Sequence, residues 1–131
     1  MPSINLFSFL LSNIVTNLRT LQNMIPIVCK YLTPRGFRGL TLFPFVMVKA
    51  KKDMQDLVFL NHEKIHLRQQ LELLIVPFYV LYLLEFLVRW MVLKNRFKAY
   101  KSISFEREAY GNEDDLGYLK KRKWYGFLNY F

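Results

Sequence analysis

Residues 71–93, "LELLIVPFYVLYLLEFLVRWMVL", constrain the fold more than any other stretch. As a helix, rising about 1.5 Å per residue, they are long enough to cross the roughly 30 Å hydrocarbon core of a bilayer. The chain has 131 residues. That is one domain by length, and too few residues to wrap such a helix on all sides. Hydrophobic residues make up 53% and aromatics 17% of the chain, an excess that a small water-soluble core does not hide. Some apolar surface is therefore expected to meet lipid or another protein. The run also carries Glu72, Glu85 and Arg89, and Pro77 should kink it. Glu85 and Arg89 are four apart and can pair on a helix. Read as one continuous helix from about Met54, it places Leu73, Val80, Leu84 and Leu87 on the same face as His62 and His66, with Glu85 and Arg89 nearly opposite. A membrane-embedded or membrane-apposed helix is the functional reading, and a fully buried core helix the alternative.

The rest of the chain is organised around this run. Residues 1–32 read as apolar helices. Leu6, Phe9, Leu10, Ile14 and Leu18 recur at helical spacing, and a shorter element follows from Leu21 to Tyr31, interrupted by Pro26. They can anchor on a membrane surface or pack on the core. The segment lacks a basic start, its first cation being Arg19, and no small-residue cleavage site follows, so it reads as retained. Residues 33–52 hold the loop "TPRGFRGL" and the stretch "TLFPFVMV", 41–48, a possible edge strand or hairpin with Pro44 inside. An edge strand there can bind an extended peptide, or the stretch can be a hydrophobic connector. Asp53 or Asp56 can cap the helix of residues 53–96. "KNRFKAYKS" turns basic, as a membrane exit would. Residues 99–131 read as a second polar helix, "ISFEREAYGNEDDLGYLKKR", and a tail, "KKRKWYGFLNYF", whose cations and aromatics suit an anionic headgroup interface.

The formal net charge is +9. Such an excess can mean nucleic acid, anionic lipid or an acidic partner. The long apolar runs favour lipid, and no zinc finger, basic helix-turn-helix or glycine-rich RNA motif is present, so no nucleic acid is expected. Cys29 is the only cysteine, which excludes an internal disulfide.

The chemistry concentrates in "NHEKIH", residues 61–66, which uses both histidines of the chain. Residues four apart share a helix face, so His62 and His66 can offer two imidazole nitrogens to one metal. Glu63, about 100° away, can reach a water on that metal without being a ligand. Zinc lowers such a water's pKa towards about 7, so Glu63 can act as general base. This is the physical content of the H-E-x-x-H motif. A catalytic zinc usually has three protein ligands. With no third histidine, the third must be a carboxylate, and "SFEREAYGNE" offers Glu106, Glu108 and Glu113. Gln69, about 20° from His62 in projection, can hydrogen-bond an imidazole or a substrate. Arg68 reads as an interfacial cation.

"HEKIH" followed by "EREAY" resembles the gluzincin branch of zinc metallopeptidases. The longer pattern "RGLTLFPF … NHEKIHLRQQLELL … FEREAY" is similar to small membrane-associated zincin-like proteins of Bacteroidetes-type bacteria. The resemblance covers about half the chain. It implies a mainly α fold, α+β at most, with a helical zincin-like core. It implies zinc held by His62, His66 and Glu106, with Glu108 as the fallback ligand and Glu63 as base. Tyr110 stands where the family usually has an aspartate supporting the first histidine; its hydroxyl can take that place, or the support can come from elsewhere, and Tyr110 joins Glu63 among the catalytic candidates. A small membrane-associated zinc metallopeptidase acting on a peptide or protein substrate is the resulting expectation. A zinc-binding or metal-free accessory subunit, covered by a protein partner in a membrane complex, is the alternative.

Overall fold

A computed structural model describes residues 24–33 and 35–131. The helix expected over residues 4–18, and the start of the element from Leu21, lie outside the described residues. The fold is mainly helical with one small sheet. Strands β1 (Ile25–Val28), β2 (Gly39–Leu42) and β3 (Phe45–Val48) precede helices α1 (Leu57–Leu73), α2 (Ile75–Leu93), α3 (Arg96–Ser102), α4 (Ser104–Asn112) and α5 (Tyr118–Lys121). Short 3-10 turns occupy Lys51–Gln55 and Gly126–Tyr130. The sheet order is β1-β3-β2, with β1 parallel and β2 antiparallel to β3.

Three expectations change and one alternative is selected. The element around Pro26 is a strand, not part of a helix: "IPIV" has β-branched residues on both sides of the proline, and β1 lies at the sheet edge, where proline is tolerated. The stretch 41–48 takes the hairpin option, two antiparallel strands rather than one edge strand. Phe43 and Pro44, joined by a cis peptide bond, form the turn between them, with Leu42 opposite Phe45. The long helix is not continuous. It breaks at Leu74, whose φ is 62° and ψ 144°, and restarts at Ile75. Pro77 then falls in the first turn of α2, where its missing N–H has no helical partner to lose. The chain thus re-aims before the proline rather than kinking at it. Lastly, the polar helix ends at Asn112, turns through residues 113–117, and resumes only for the single turn of α5.

Capping explains the other boundaries. Of the two candidates, Asp56 caps α1, accepting the Phe59 N–H at 3.0 Å. Asp53 is instead buried and bonded to Arg38. Asn95 caps α3 through the Lys98 N–H. The start of α4 is capped from α2: Glu85 accepts the Ser104 N–H at 2.8 Å and its hydroxyl at 2.6 Å, and is also paired with Arg89.

Two apolar clusters hold α1 between them. Val46 and Val48 of β3 pack with Phe59, Leu60 and Leu67 of α1. Phe78 of α2, Ile103 and Phe105 beside and on α4, and Phe127 of the C-terminal turn form the second. At roughly 1.5–3 kcal/mol per fully buried large apolar side chain, these two clusters fix the sheet and α4 against α1. What remains between them is polar.

Candidate metal centre

Three side chains from two helices converge between the clusters. His62 and His66 of α1 and Glu106 of α4 bring one ligand atom each to within 4.8 Å of one another, and all three are buried. The Nε2 atoms of the histidines are 3.1 Å apart. Glu106 Oε2 is 3.4 Å from His62 Nε2, and Oε1 is 3.3 Å from His66 Nε2. A tetrahedral ion bonded at about 2.0–2.1 Å places its ligand atoms roughly 3.3 Å apart. The spacing fits such an ion.

The outer nitrogens fix the tautomers. His62 Nδ1 lies 2.7 Å from Glu113 Oε2, a carboxylate oxygen that accepts. His66 Nδ1 lies 2.8 Å from Gln69 Oε1. The Gln69 amide is oriented because its NH₂ donates to Phe105 O at 3.1 Å and Glu108 Oε2 at 2.8 Å. Both Nδ1 atoms therefore carry protons, and both Nε2 lone pairs point at each other and at Glu106. Tyr82 donates to Glu106 Oε1 at 2.6 Å, whereas the buried Oε2 has no hydrogen-bond partner. Two lone pairs and a bare carboxylate oxygen call for a positive charge. Without a metal a proton supplies it. Burial by itself would lower the pKa of His66, but the charge and hydrogen bond of Glu106, with Glu63 and Gln69, raise it to about 9. Burial would raise Glu106, but the two histidines hold it well below the usual carboxylate range.

Behind His66 stands a buried ionic network. Glu108, the fallback ligand, faces away from the metal position. It accepts from Arg122 Nε at 2.5 Å and Nη2 at 3.0 Å, from Tyr118 and from Gln69. Arg122 Nη1 also donates to Glu72 at 2.5 Å, and Glu72 pairs with Arg68. Arg68 is therefore not a free interfacial cation: it is buried, and its guanidinium stacks 4.7 Å from the Trp124 ring. The tail approaches closely at Gly126, where a Cβ would meet Glu108 Oε1, held by Arg122 and Tyr118, at 2.6 Å.

The support expected from Tyr110 comes from Glu113 instead. The Tyr110 ring packs edge-on against His62, centroids 4.5 Å apart, and its hydroxyl lies 3.4 Å from that of Tyr100. Glu113 reaches His62 because α4 stops one residue earlier. Asn61, just before the first histidine, donates to the carbonyls of Asn112, Glu113 and Asp115 and so holds that turn on α1. Neither Glu113 nor Asn61 was assigned this task from the sequence. Both lie in the quoted motifs, but their contact spans about fifty residues.

Glu63 sits beside the triad and is buried. The Thr41 hydroxyl of β2 donates to its Oε2. Gly39 of the same strand faces it: a Cβ there would stand 3.4 Å from Oε1 and clash with Phe59. The outer edge of β2 is partly covered. The Gln70 amide donates to Thr41 O at 2.9 Å and accepts the Phe43 N–H at 2.9 Å, the two contacts a neighbouring strand residue would make. Tyr79 of α2 also donates to Thr41 O. An added peptide strand is thus excluded from that part of the edge. No protein-family profile, curated protein or solved structure matches the chain.

Proposed function

We propose that the chain is a small membrane-associated, zinc-dependent metallopeptidase. The observation that carries this reading is the position of Glu63: beside the His62–His66–Glu106 triad, held by Thr41, and outside the ligand set. Bound to the triad, zinc would supply Lewis acidity toward a peptide carbonyl and acidify a water molecule. With Oε2 engaged by Thr41, Glu63 Oε1 is left to take a proton from the attacking water and return it to the leaving amine. Glu113 and the Gln69–Glu108 pair keep the two imidazoles in the metal-binding tautomer. Membrane association is supported by α2, which is long and apolar enough to cross a bilayer and buries only Phe78.

A second reading is a centre that holds metal without catalysis, pinning α1 to α4 inside a membrane complex. The burial of His62, Glu63, His66 and Glu106 favours it, as does the occupied edge of β2. The two readings separate on Glu63→Gln. A peptidase keeps stoichiometric zinc and loses peptide hydrolysis, whereas a purely structural centre shows no hydrolysis in the wild type either. Elemental analysis of the wild type and Glu106→Ala tests the metal itself. Wild-type protein without metal after zinc is supplied would sink both.

A further inference from the structure

We propose that α2 lies flat in one leaflet of an anionic bilayer, its axis along the membrane surface, instead of crossing the membrane. The proposal rests on the membrane reading above and adds the geometry and the lipid charge.

The first observation is a sharp division of α2 along its length. Every exposed side chain from Val76 to Leu93 is apolar, including Val80, Leu84, Leu87, Val88 and Met91. The polar side chains Tyr79, Tyr82, Glu85 and Arg89 all lie on the other face, none of them exposed. At 100° per residue the exposed positions cover about half of the helix circumference. This is the pattern of a helix half-sunk in an apolar medium, with protein on its other side.

The second observation decides the orientation. The chain doubles back along the inner face of α2. Arg96 stacks on Trp90 at 4.6 Å, Ser104 bonds to Glu85, and Glu106 accepts from Tyr82. Between those contacts, α3 exposes Arg96, Lys98 and Lys101, level with the C-terminal half of α2. An upright α2 would draw these cations into hydrocarbon, where Lys and Arg are strongly disfavoured. A flat α2 leaves them all at headgroup height.

The third observation is charge at both ends of the apolar face. Lys94 is exposed at the C-terminal end. At the other end, the Tyr125 N–H bonds to Glu72, next to the start of α2, and brings with it the exposed Lys120 and Lys123, with Lys121 paired to Asp115. Cations at both ends of an apolar face match anionic phospholipid headgroups. Because Tyr82 reaches from α2 to Glu106, the metal centre would stand about one helix diameter above the leaflet.

The test uses the full chain with Cys29→Ser as background. Single cysteines at Val76→Cys, Val80→Cys, Leu84→Cys, Leu87→Cys and Met91→Cys carry a nitroxide. Binding is measured on phosphatidylcholine vesicles with and without phosphatidylglycerol, and label depth from accessibility to oxygen and to a polar quencher. A flat α2 gives five labels at one shallow depth, and binding that strengthens with phosphatidylglycerol and weakens with salt. An upright helix separates positions 76 and 91 by about 22 Å along the membrane normal, with position 84 deepest. That profile overturns the flat geometry and leaves membrane association standing. Equal binding to both vesicle types overturns the anionic preference. No binding to either, or a soluble dimer that buries the labels, overturns the membrane reading itself.

Discussion

Helices α1 and α2 follow one another with a single residue between them, and they relate to their surroundings in opposite ways. The polar helix is inside: α1 buries Asn61, His62, Glu63, His66, Arg68, Gln69, Gln70 and Glu72. The apolar helix is outside: α2 buries Phe78 alone. Polarity therefore does not predict burial here. Each buried polar group of α1 has a hydrogen-bond or ionic partner, supplied by β2, α4 and the turn after it, the tail or, for Arg68, Glu72 of α1 itself, which is the condition under which polar burial is tolerated. The exposed face of α2 makes no such demand, because every side chain on it is apolar. The difference teaches that one helix is built around a cluster of polar groups and the other turns an apolar face outward.

The comparison breaks most easily at Arg122. Removing this guanidinium leaves Glu108 buried without a counter-charge and Glu72 with Arg68 alone. Arg122→Met is expected to cost about 3–5 kcal/mol in denaturant unfolding of detergent-solubilised protein. A loss under about 1 kcal/mol, within the range of ordinary surface changes, would mean that the ionic backing of α1 is not as closed as it looks.

Matched leucines sharpen the contrast. Leu67 of α1 is 1% exposed and Leu84 of α2 is 55% exposed. Leu67→Ala should cost roughly 2–5 kcal/mol, and Leu84→Ala within about 0.5 kcal/mol in detergent. Equal losses would show that a partner, not lipid, covers α2.

A smaller effect is expected at Glu113. Glu113→Gln removes the carboxylate behind His62 but keeps the hydrogen-bonding shape. Zinc affinity, read by chelator competition, should fall about 10–100-fold, while helix content stays unchanged. An unchanged affinity would return the supporting role to Tyr110.

A further effect is expected on pH dependence without metal. In the folded chain His66 is raised from 6.5 to about 9. Its contribution to stability is complete below about pH 6.5 and is lost as pH rises through about 9. Melting of the chelated protein should therefore drop between these values. The zinc-loaded protein should not show the drop, since the metal replaces the proton. Identical profiles would mean that chelation does not empty the triad, or that no metal enters it.

Local chemistry made part of this legible from the sequence. "NHEKIH" on a helix puts two imidazoles on one face whatever the rest of the chain does, and "EREAY" brings Glu106 to them on a second helix. The mainly α architecture follows from the length of the apolar and motif-bearing stretches. Other features depend on distant residues and were misread. Leu74 breaks the helix with no glycine or capping residue to announce it. Arg122 stands in a run of four cations, "KKRK", and is the only one of them buried. Nothing in that run marks it as different. Its role comes from Glu72, fifty positions earlier, and Glu108, fourteen earlier. Glu113 was visible as an acidic residue near the motif, but its pairing with His62 needs the turn that Asn61 holds. Gln69 left two roles open, and the fold selects the imidazole.

The glycine at position 126 and the arginine at 122 also set an order of events during folding. The three ligands lie between residues 62 and 106, whereas the cation that neutralises Glu108 comes from the tail, at 122. Until residues 122–126 dock, the last turn of α1 does not settle against α4, since the Glu108 carboxylate would be buried there uncompensated. A metal ion captured by the triad would hold the two helices together across that interval, and a chain refolding without metal would pass through it exposed to proteolysis.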